Sequence, residues 1–542
     1  MHSTMMNTPL VLTSIMNFAE KVYGDSEIVS VTADNPLHRY TYRDAFKRVR
    51  QLGNALKTLG AKPLDSVGTM AWNDYRHLEL YYATAASGYV CHTVNPRLFP
   101  EQMEFIINHG EDKFMFLDVA FVPILEQLQD KLPNVKAFII LTDEANMPNT
   151  SLRNVMCYET LLATENDQIA WPELEETSPA AMCYTSGTTG DPKAVVYSHR
   201  SSVLHAYASV LPDTFGISVR DVVMPIVPMF HVNGWGIVYN APMVGAKLVL
   251  PGPKMGDGET ICKLINGEKV TISAAVPTVW LALLDYLDSS KGSIDSLKRI
   301  TVGGAACPLS IMNAMRDKYD VEVRHAWGMT ETSPLGTYNT LKPGMEDLPA
   351  EELDAIRATQ GRPIFGVDMK IVDENNNELP WDGEASGALK VRGPWITQSY
   401  YNTDKKAVDD DGWFDTGDVA SIDSNGFMMI TDRTKDVIKS GGEWISSIEL
   451  ENLAVDHPAV AEAAVVGIAH PKWTERPLLI AVVKPGETLS KEDLLNWYDG
   501  KVAKWMIPND CVFVDELPHT ATNKLDKKVL RVQFENHAWP DA

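Results

Sequence analysis

Residues 184–199 read YTSGTTGDPKAVVYSH, the strongest local signal in the chain. An apolar run, residues 181–184, enters a string of hydroxyls and glycines. Pro192 and Lys193 follow, and then a second apolar strand begins. Small residues packed after a buried strand expose several backbone N–H groups at close range, which suits phosphate oxygens. Lys193 adds a charge-assisted contact. No Ser or Thr follows the lysine, so the spacing is not that of a G-x-x-x-x-G-K-[ST] loop. A bare Gly/Thr turn would ordinarily be a polar surface connection; the complete string argues against that.

On either side of this stretch strand and helix patterns alternate, which points to an α/β architecture. Phe46, Val49, Leu52, Leu56 and Leu59 recur at helical spacing between a Thr41/Asp44 capping pair and Gly60. Residues 137–141, like 181–184, read as strands apolar on both faces and hence buried in a parallel sheet. After residues 413–418 come a turn-rich stretch (421–426), a short strand (427–431) and the polar string DRTKD, residues 432–436. There the pattern resets. Ser446 with Glu449 caps a helix, apolar strands are expected over 463–469 and 478–483, and Ser490 with Asp493 opens another helix. The expected division is residues 1–434 and a small, mobile α/β domain of residues 435–542.

A chain of 542 residues can bury several cores without disulfides or structural metals. With 45% apolar and 22% charged residues it has ordinary globular composition, which excludes a disordered or collagen-like chain. Lys and Arg number 48 against 72 Asp and Glu, a net charge of −24. Such a surface opposes broad contact with nucleic acid or anionic lipid, while leaving room for a local basic pocket. The six cysteines form no C-x-x-C pair, so a reducing compartment is expected. The N-terminus lacks a secretory pattern, and no run of about eighteen apolar residues occurs. The expectation is a cytoplasmic protein with no integral membrane segment and no nucleic-acid partner.

The string TSGTTGDPK, residues 185–193, resembles the phosphate loop of the adenylate-forming superfamily, which holds acyl- and aryl-CoA synthetases, luciferases and peptide-synthetase adenylation domains. The resemblance continues in order along the chain. Gly303-Gly304-Ala305-Ala306 is similar to the family's adenine-binding turn, and His325-Ala326-Trp327-Gly328-Met329-Thr330-Glu331 to its aromatic-Gly-x-Thr-Glu motif. Residues 413–418, ending in Asp418, resemble its W-x-x-T-G-D string, and 432–436, with Arg433 and Lys435, its hinge. Lys439, Ser440, Gly441, Gly442, Glu443 and Trp444 resemble the loop that lines the coenzyme A channel. Lys524, in PHTATNKLDKKVLR, resembles the catalytic lysine. The family's pattern is broken by Ala194 and Asn523, where glycine is usual, and by His519, where arginine is frequent.

The resemblance implies a large N-terminal domain, built of two doubly wound α/β subdomains and a small β-barrel-like one, plus a mobile C-terminal α/β domain. It implies ATP, Mg²⁺ and coenzyme A, and an AMP-forming ligation through an acyl-adenylate. Thr185, Ser186, Gly187, Thr188, Thr189 and Lys193 would hold phosphates, and Trp327 would stack on the purine. Asp418 and Arg433 would contact ribose or phosphate. Thr330 would donate to the α-phosphate, Glu331 with Thr188 would hold the metal, and Lys524 would neutralise the reacting anions before the C-terminal domain turns about Lys435. Taken alone, Trp327 would read as core packing, Thr330 as a helix cap and Asp418 as a turn residue.

The acyl pocket is expected around His231, Trp235, Gly303 and Pro334. His231 and Trp235 lie four residues apart, hence on one face if that stretch is helical. No Lys or Arg occurs in residues 227–240, which favours an uncharged tail. VPMFHVNGW, IKSGGEWISS and HPKWTERPL are similar to 3-methylmercaptopropionate–CoA ligases of dimethylsulfoniopropionate degradation and to medium- and long-chain fatty acyl-CoA synthetases. The expected acid is the short thioether acid, with a fatty acid as the alternative and a luciferase-like enzyme or adenylation module as readings of another class. A homodimer is expected.

Overall fold

The computed structural model describes residues 3–185, 191–440, 443–520 and 525–540, without the side chains of Glu443 and Trp444. The chain divides into two compact units, residues 1–368 with 392–414, and residues 369–391 with 415–542. These bounds differ from the division expected at residues 434–435, which was read from the hinge motif and not from packing.

The first unit is built on two sheets. In one, six parallel strands run in the order Glu322–Gly328, Arg299–Val302, Ile272–Ala275, Val222–Pro225, Lys247–Leu250 and Glu27–Ser30, with antiparallel strands added at both ends. In the other, six parallel strands end with Val90–Thr93 and Pro179–Thr185, and antiparallel Lys193–Ser198 closes the edge. The apolar stretches read as buried strands are thus Ala137–Ile140, parallel on both sides, and Pro179–Thr185, parallel on one side only. The predicted helix is Tyr42–Thr58, with the Thr41/Asp44 box formed.

The two sheets are locked together by polar contacts. Asn73 Nδ2 donates to Pro225 O and Val227 O at 2.9 and 2.7 Å, and its Oδ1 accepts from Met229 N at 2.7 Å. Around the larger sheet, Val29, Met224, Ile265, Trp280, Leu283 and Ile300 form a continuous core. Among the described residues no helix is long and apolar enough to cross a membrane.

The second unit holds a four-stranded sheet, Asp368–Val372, Ser386–Arg392, Phe414–Ile422 and Met428–Arg433 in that order. It also holds a five-stranded sheet centred on Val460–His470 and Thr474–Val483. Side chains alternate between faces along these two strands. Ala463, Val465, Leu479 and Ala481 pack with Leu450 and Tyr498. Ala464, Val466, Leu478 and Ile480 pack on the opposite face with Leu530 and Trp539. Ser446 and Ser490 cap the helices Ser447–Val455 and Lys491–Asn496.

Candidate active site

In the larger sheet the chain passes from Val222–Pro225 to Lys247–Leu250 on one side, then returns to Ile272–Ala275 on the other. Such a reversal opens a crevice beyond the carboxyl ends of the strands, where open α/β sheets bind ligands. The expected residues follow those ends. His231 and Trp235 come after Val222–Pro225, Gly303 to Ala306 after Arg299–Val302, and Met329 to Glu331 after Glu322–Gly328.

Where the expected phosphate loop leaves the sheet, Thr185 pairs with Lys193. Ser186, Gly187, Thr188 and Thr189 lie outside the described residues. The exposed Lys193 places its Nζ 5.0 Å from the centroid of the Tyr400 ring, and Tyr400 Oη donates to Glu331 Oε1 at 2.8 Å. Glu331 and Thr330 are each only 5% exposed, so this carboxylate sits largely out of water. Tyr197 Oη donates to Thr330 O at 2.7 Å, fixing the short helical turn Thr330–Thr332. Burial, reinforced by the Glu331 carboxylate, pushes the Tyr400 phenol well above its ordinary range and keeps its proton on.

Gly304 has φ +80°, a left-handed conformation that glycine adopts without strain. Behind this turn the buried His325 ring points its Nδ1 at Thr359 O (3.0 Å) and its Nε2 at Ala305 O (3.4 Å). Burial lowers its pKa against the opposing pull of these carbonyl oxygens, and the ring braces the turn. Trp327 is buried with its ring against Gly336, where any Cβ would collide with Cζ3. Gly328 lets the chain double back: a Cβ there would collide with Pro334 O, which accepts from Met329 N at 3.2 Å.

Between His231 and the helix Ile237–Val244 the chain does not form a right-handed helix. Val232, Asn233, Gly234, Trp235 and Gly236 all have positive φ, from 36° to 72°. This left-handed turn corrects the expectation that His231 and Trp235 share a helical face. Each non-glycine residue in it costs about 1–2 kcal/mol, so the conformation is imposed by its surroundings. Thr93 Oγ1 donates to Asn233 Oδ1 at 2.8 Å. A Cβ on Gly236 would meet His205 Nδ1 at 2.7 Å. His205 is buried, accepts from Leu335 N at 3.3 Å, and is pushed down to about 4 by burial, hence neutral. The turn throws the Trp235 indole against Gly303, where a Cβ would lie 2.7 Å from Cη2. Two of the expected pocket residues are therefore in contact.

In the second unit, Asp418 and Arg433 face each other across paired strands, with Nη1 2.6 Å from Oδ1. Thr434 N bonds back to Gly417 O, which places exposed Lys435 just past this sheet. Strands Ile438–Ser440 and Glu443–Ile445 pair with Ser440 opposite Glu443; Gly441 and Gly442 lie outside the described residues. Ser440 Oγ accepts from Arg476 Nη1 at 2.9 Å, and Arg476 also donates to Trp505 O and Ile507 O. Exposed Lys439 reaches Glu374 at 3.7 Å. Lys524 also lies outside the described residues. Its flanks are tied: His519 bridges to Leu525, and half-buried Lys527 pairs with Glu451 at 2.6 Å.

A family model described as AMP-binding enzyme matches residues 18–401, and one described as AMP-binding enzyme C-terminal domain matches residues 449–524. The chain belongs to the AMP-binding enzyme family. As a member of this adenylate-forming superfamily it is a ligase of the acyl-CoA synthetase kind. It is 48% identical to a 3-methylmercaptopropionyl-CoA ligase of Ruegeria lacuscaerulensis, over 98% of both chains. Identity is 47% to a medium-chain-fatty-acid–CoA ligase of Ectopseudomonas oleovorans, covering 98% of this chain and 97% of that one. An anthranilate CoA ligase solved with anthranoyl-AMP has the same fold, with a TM-score of 0.85, 24% identity, and coverage of 98% and 99%.

Tyr400, Tyr197, His205 and Arg476 were not expected from the motifs. The tyrosine pair in SYYN, an aromatic doublet among polar residues, is the one local signal that points to any of them.

Proposed function

We propose that this AMP-binding enzyme joins a short carboxylic acid with an uncharged tail, best 3-methylmercaptopropionate, to coenzyme A, forming AMP and pyrophosphate through an acyl-adenylate. The observation that carries the reading is the buried Glu331 carboxylate linked through Tyr400 to the phosphate-loop Lys193. A single carboxylate beside a lysine suits Mg²⁺, which keeps most of its coordination for water and phosphate oxygens. When bound, Mg²⁺ supplies charge neutralisation on the ATP phosphates.

The chain's own groups do the rest by placement. Lys193 and the loop amides hold the phosphates, and Thr330, its backbone fixed by Tyr197, faces the α-phosphate. Trp327 and the Gly304 turn, braced by His325, receive the adenine, and Asp418 with Arg433 takes the ribose. Lys524 neutralises the acid carboxylate and the phosphate, which otherwise repel. The C-terminal part then turns about Lys435, withdraws Lys524, and brings Gly441 and Gly442 to the pantetheine arm, whose thiolate displaces AMP.

For the acid, support comes from Trp235 set against Gly303 as a pocket wall, from the lack of Lys and Arg in residues 227–240, and from the Ruegeria relative. The relative that acts on medium-chain acids keeps that substrate class as the second reading. A series of acids graded in length, assayed by AMP release with coenzyme A, separates them. One methylene changes kcat/KM by about 1–3 kcal/mol, so neighbouring lengths overlap and distant ones part. An optimum at 3-methylmercaptopropionate supports the proposal; an optimum at palmitate refutes it.

A further inference from the structure

We infer that Tyr400 is a positioning residue that sets how strongly Mg²⁺ tightens ATP binding, holding Glu331 through its hydroxyl and Lys193 through its ring. The inference rests on the adenylation reading above. Tyr400 belongs to Ser399-Tyr400-Tyr401-Asn402, outside every motif that marks the site. The chain on either side of it is tied down: Thr397 N donates to Glu331 O, and Tyr401 N to the O of Ala194, the residue after Lys193, each at 2.8 Å. Its side chain then touches the buried anion and the phosphate-loop cation together, at 2.8 Å to Glu331 Oε1 and 5.0 Å from Lys193 Nζ to the ring centroid.

Each contact has its own consequence. The last torsion of a glutamate is broad and holds no single orientation by itself. A phenol proton donated to Oε1 fixes the orientation of the carboxylate. Hydrogen bonds of this kind to a metal-binding side chain are worth about 10–100-fold in affinity. The ring face attracts the Lys193 ammonium, which keeps that charge where the expected phosphate loop leaves the sheet before phosphate arrives. Hydroxyl and ring are thus separable: the first serves the metal, the second the nucleotide.

The test uses the full-length protein and α,β-methylene ATP, an analogue that cannot be cleaved, with Kd measured by calorimetry in Mg²⁺ and again in EDTA. In the wild type Mg²⁺ tightens binding. Tyr400→Phe keeps the ring, so Kd in EDTA stays unchanged while the gain from Mg²⁺ shrinks about tenfold. Tyr400→Leu loses that gain and also weakens binding in EDTA. In pyrophosphate exchange, Tyr400→Phe raises the Mg²⁺ needed for half-maximal rate and recovers turnover when Mg²⁺ saturates. Melting temperatures confirm that both variants fold. A Tyr400→Phe protein with the full Mg²⁺ gain overturns the inference, as does equal weakening of both variants in EDTA, which would mean the tyrosine acts through packing alone. A wild type that binds no analogue overturns the adenylation reading itself, and this inference with it.

Discussion

Replacing Gly303 by alanine puts a Cβ 2.7 Å from Trp235 Cη2 and 3.0 Å from Ala326 O. Carbon atoms settle about 3.5–4.0 Å apart, so the indole must retreat by about 1 Å. It has little freedom to do so. Trp235 hangs from a left-handed turn, and the next residue, Gly236, lies against buried His205. Overpacking of this kind costs about 1–3 kcal/mol. Expressed on the acid-dependent reaction, that is a loss of roughly 5- to 150-fold in kcat/KM. In a Trp235→Ala background the obstacle is gone, and Gly303→Ala should be nearly silent apart from the Ala326 carbonyl. The double-mutant cycle should therefore show coupling of at least about 1 kcal/mol. The assay is kcat/KM for a graded series of acids in all four proteins, with melting temperatures to separate folding from binding. Trp235→Ala should also extend the range towards longer acids. Equal losses from Gly303→Ala in both backgrounds would refute the claim that this glycine makes room for the indole.

Two further outcomes are expected. Lys524→Ala should lose adenylate formation by two to three decades, about 3–4 kcal/mol, yet convert a supplied acyl-adenylate with coenzyme A, while Gly441→Leu should do the reverse; equal defects in both half-reactions would contradict this division. Burial holds His205 at about 4, so between pH ~6.5 and ~4 the unfolded chain binds a proton that the folded chain refuses, and stability falls as pH falls. In denaturant titrations the stability lost on His205→Asn should therefore shrink by about 1.4 kcal/mol per pH unit below pH ~6.5, and a pH-independent difference would be evidence against it.

What was legible in the sequence was what short-range chemistry decides. The capping pairs Thr41/Asp44, Ser446/Glu449 and Ser490/Asp493 each pair a backbone donor with a side chain three residues away, and all three form. Strand ends were less legible because the partner strand sets them. The stretch read as 463–469 runs as Val460–His470, extended at both ends by pairing with Thr474–Val483. The turn Val232–Gly236 escaped the helical-spacing argument because its hand is imposed by Thr93 and His205, residues distant in sequence. The role of Tyr400 was hidden for the same reason, although the SYYN doublet marks the residue. It meets Glu331 across 69 residues of chain, and only the fold brings them together.

The central claim is that the acid is activated by adenylation before any thiol takes part. Isotope exchange between pyrophosphate and ATP, run with 3-methylmercaptopropionate and no coenzyme A, tests it most directly. Exchange should depend on the acid and on Mg²⁺, and should fail in Glu331→Gln and Lys524→Ala. Exchange that requires coenzyme A, or release of ADP and phosphate in place of AMP and pyrophosphate, would contradict it.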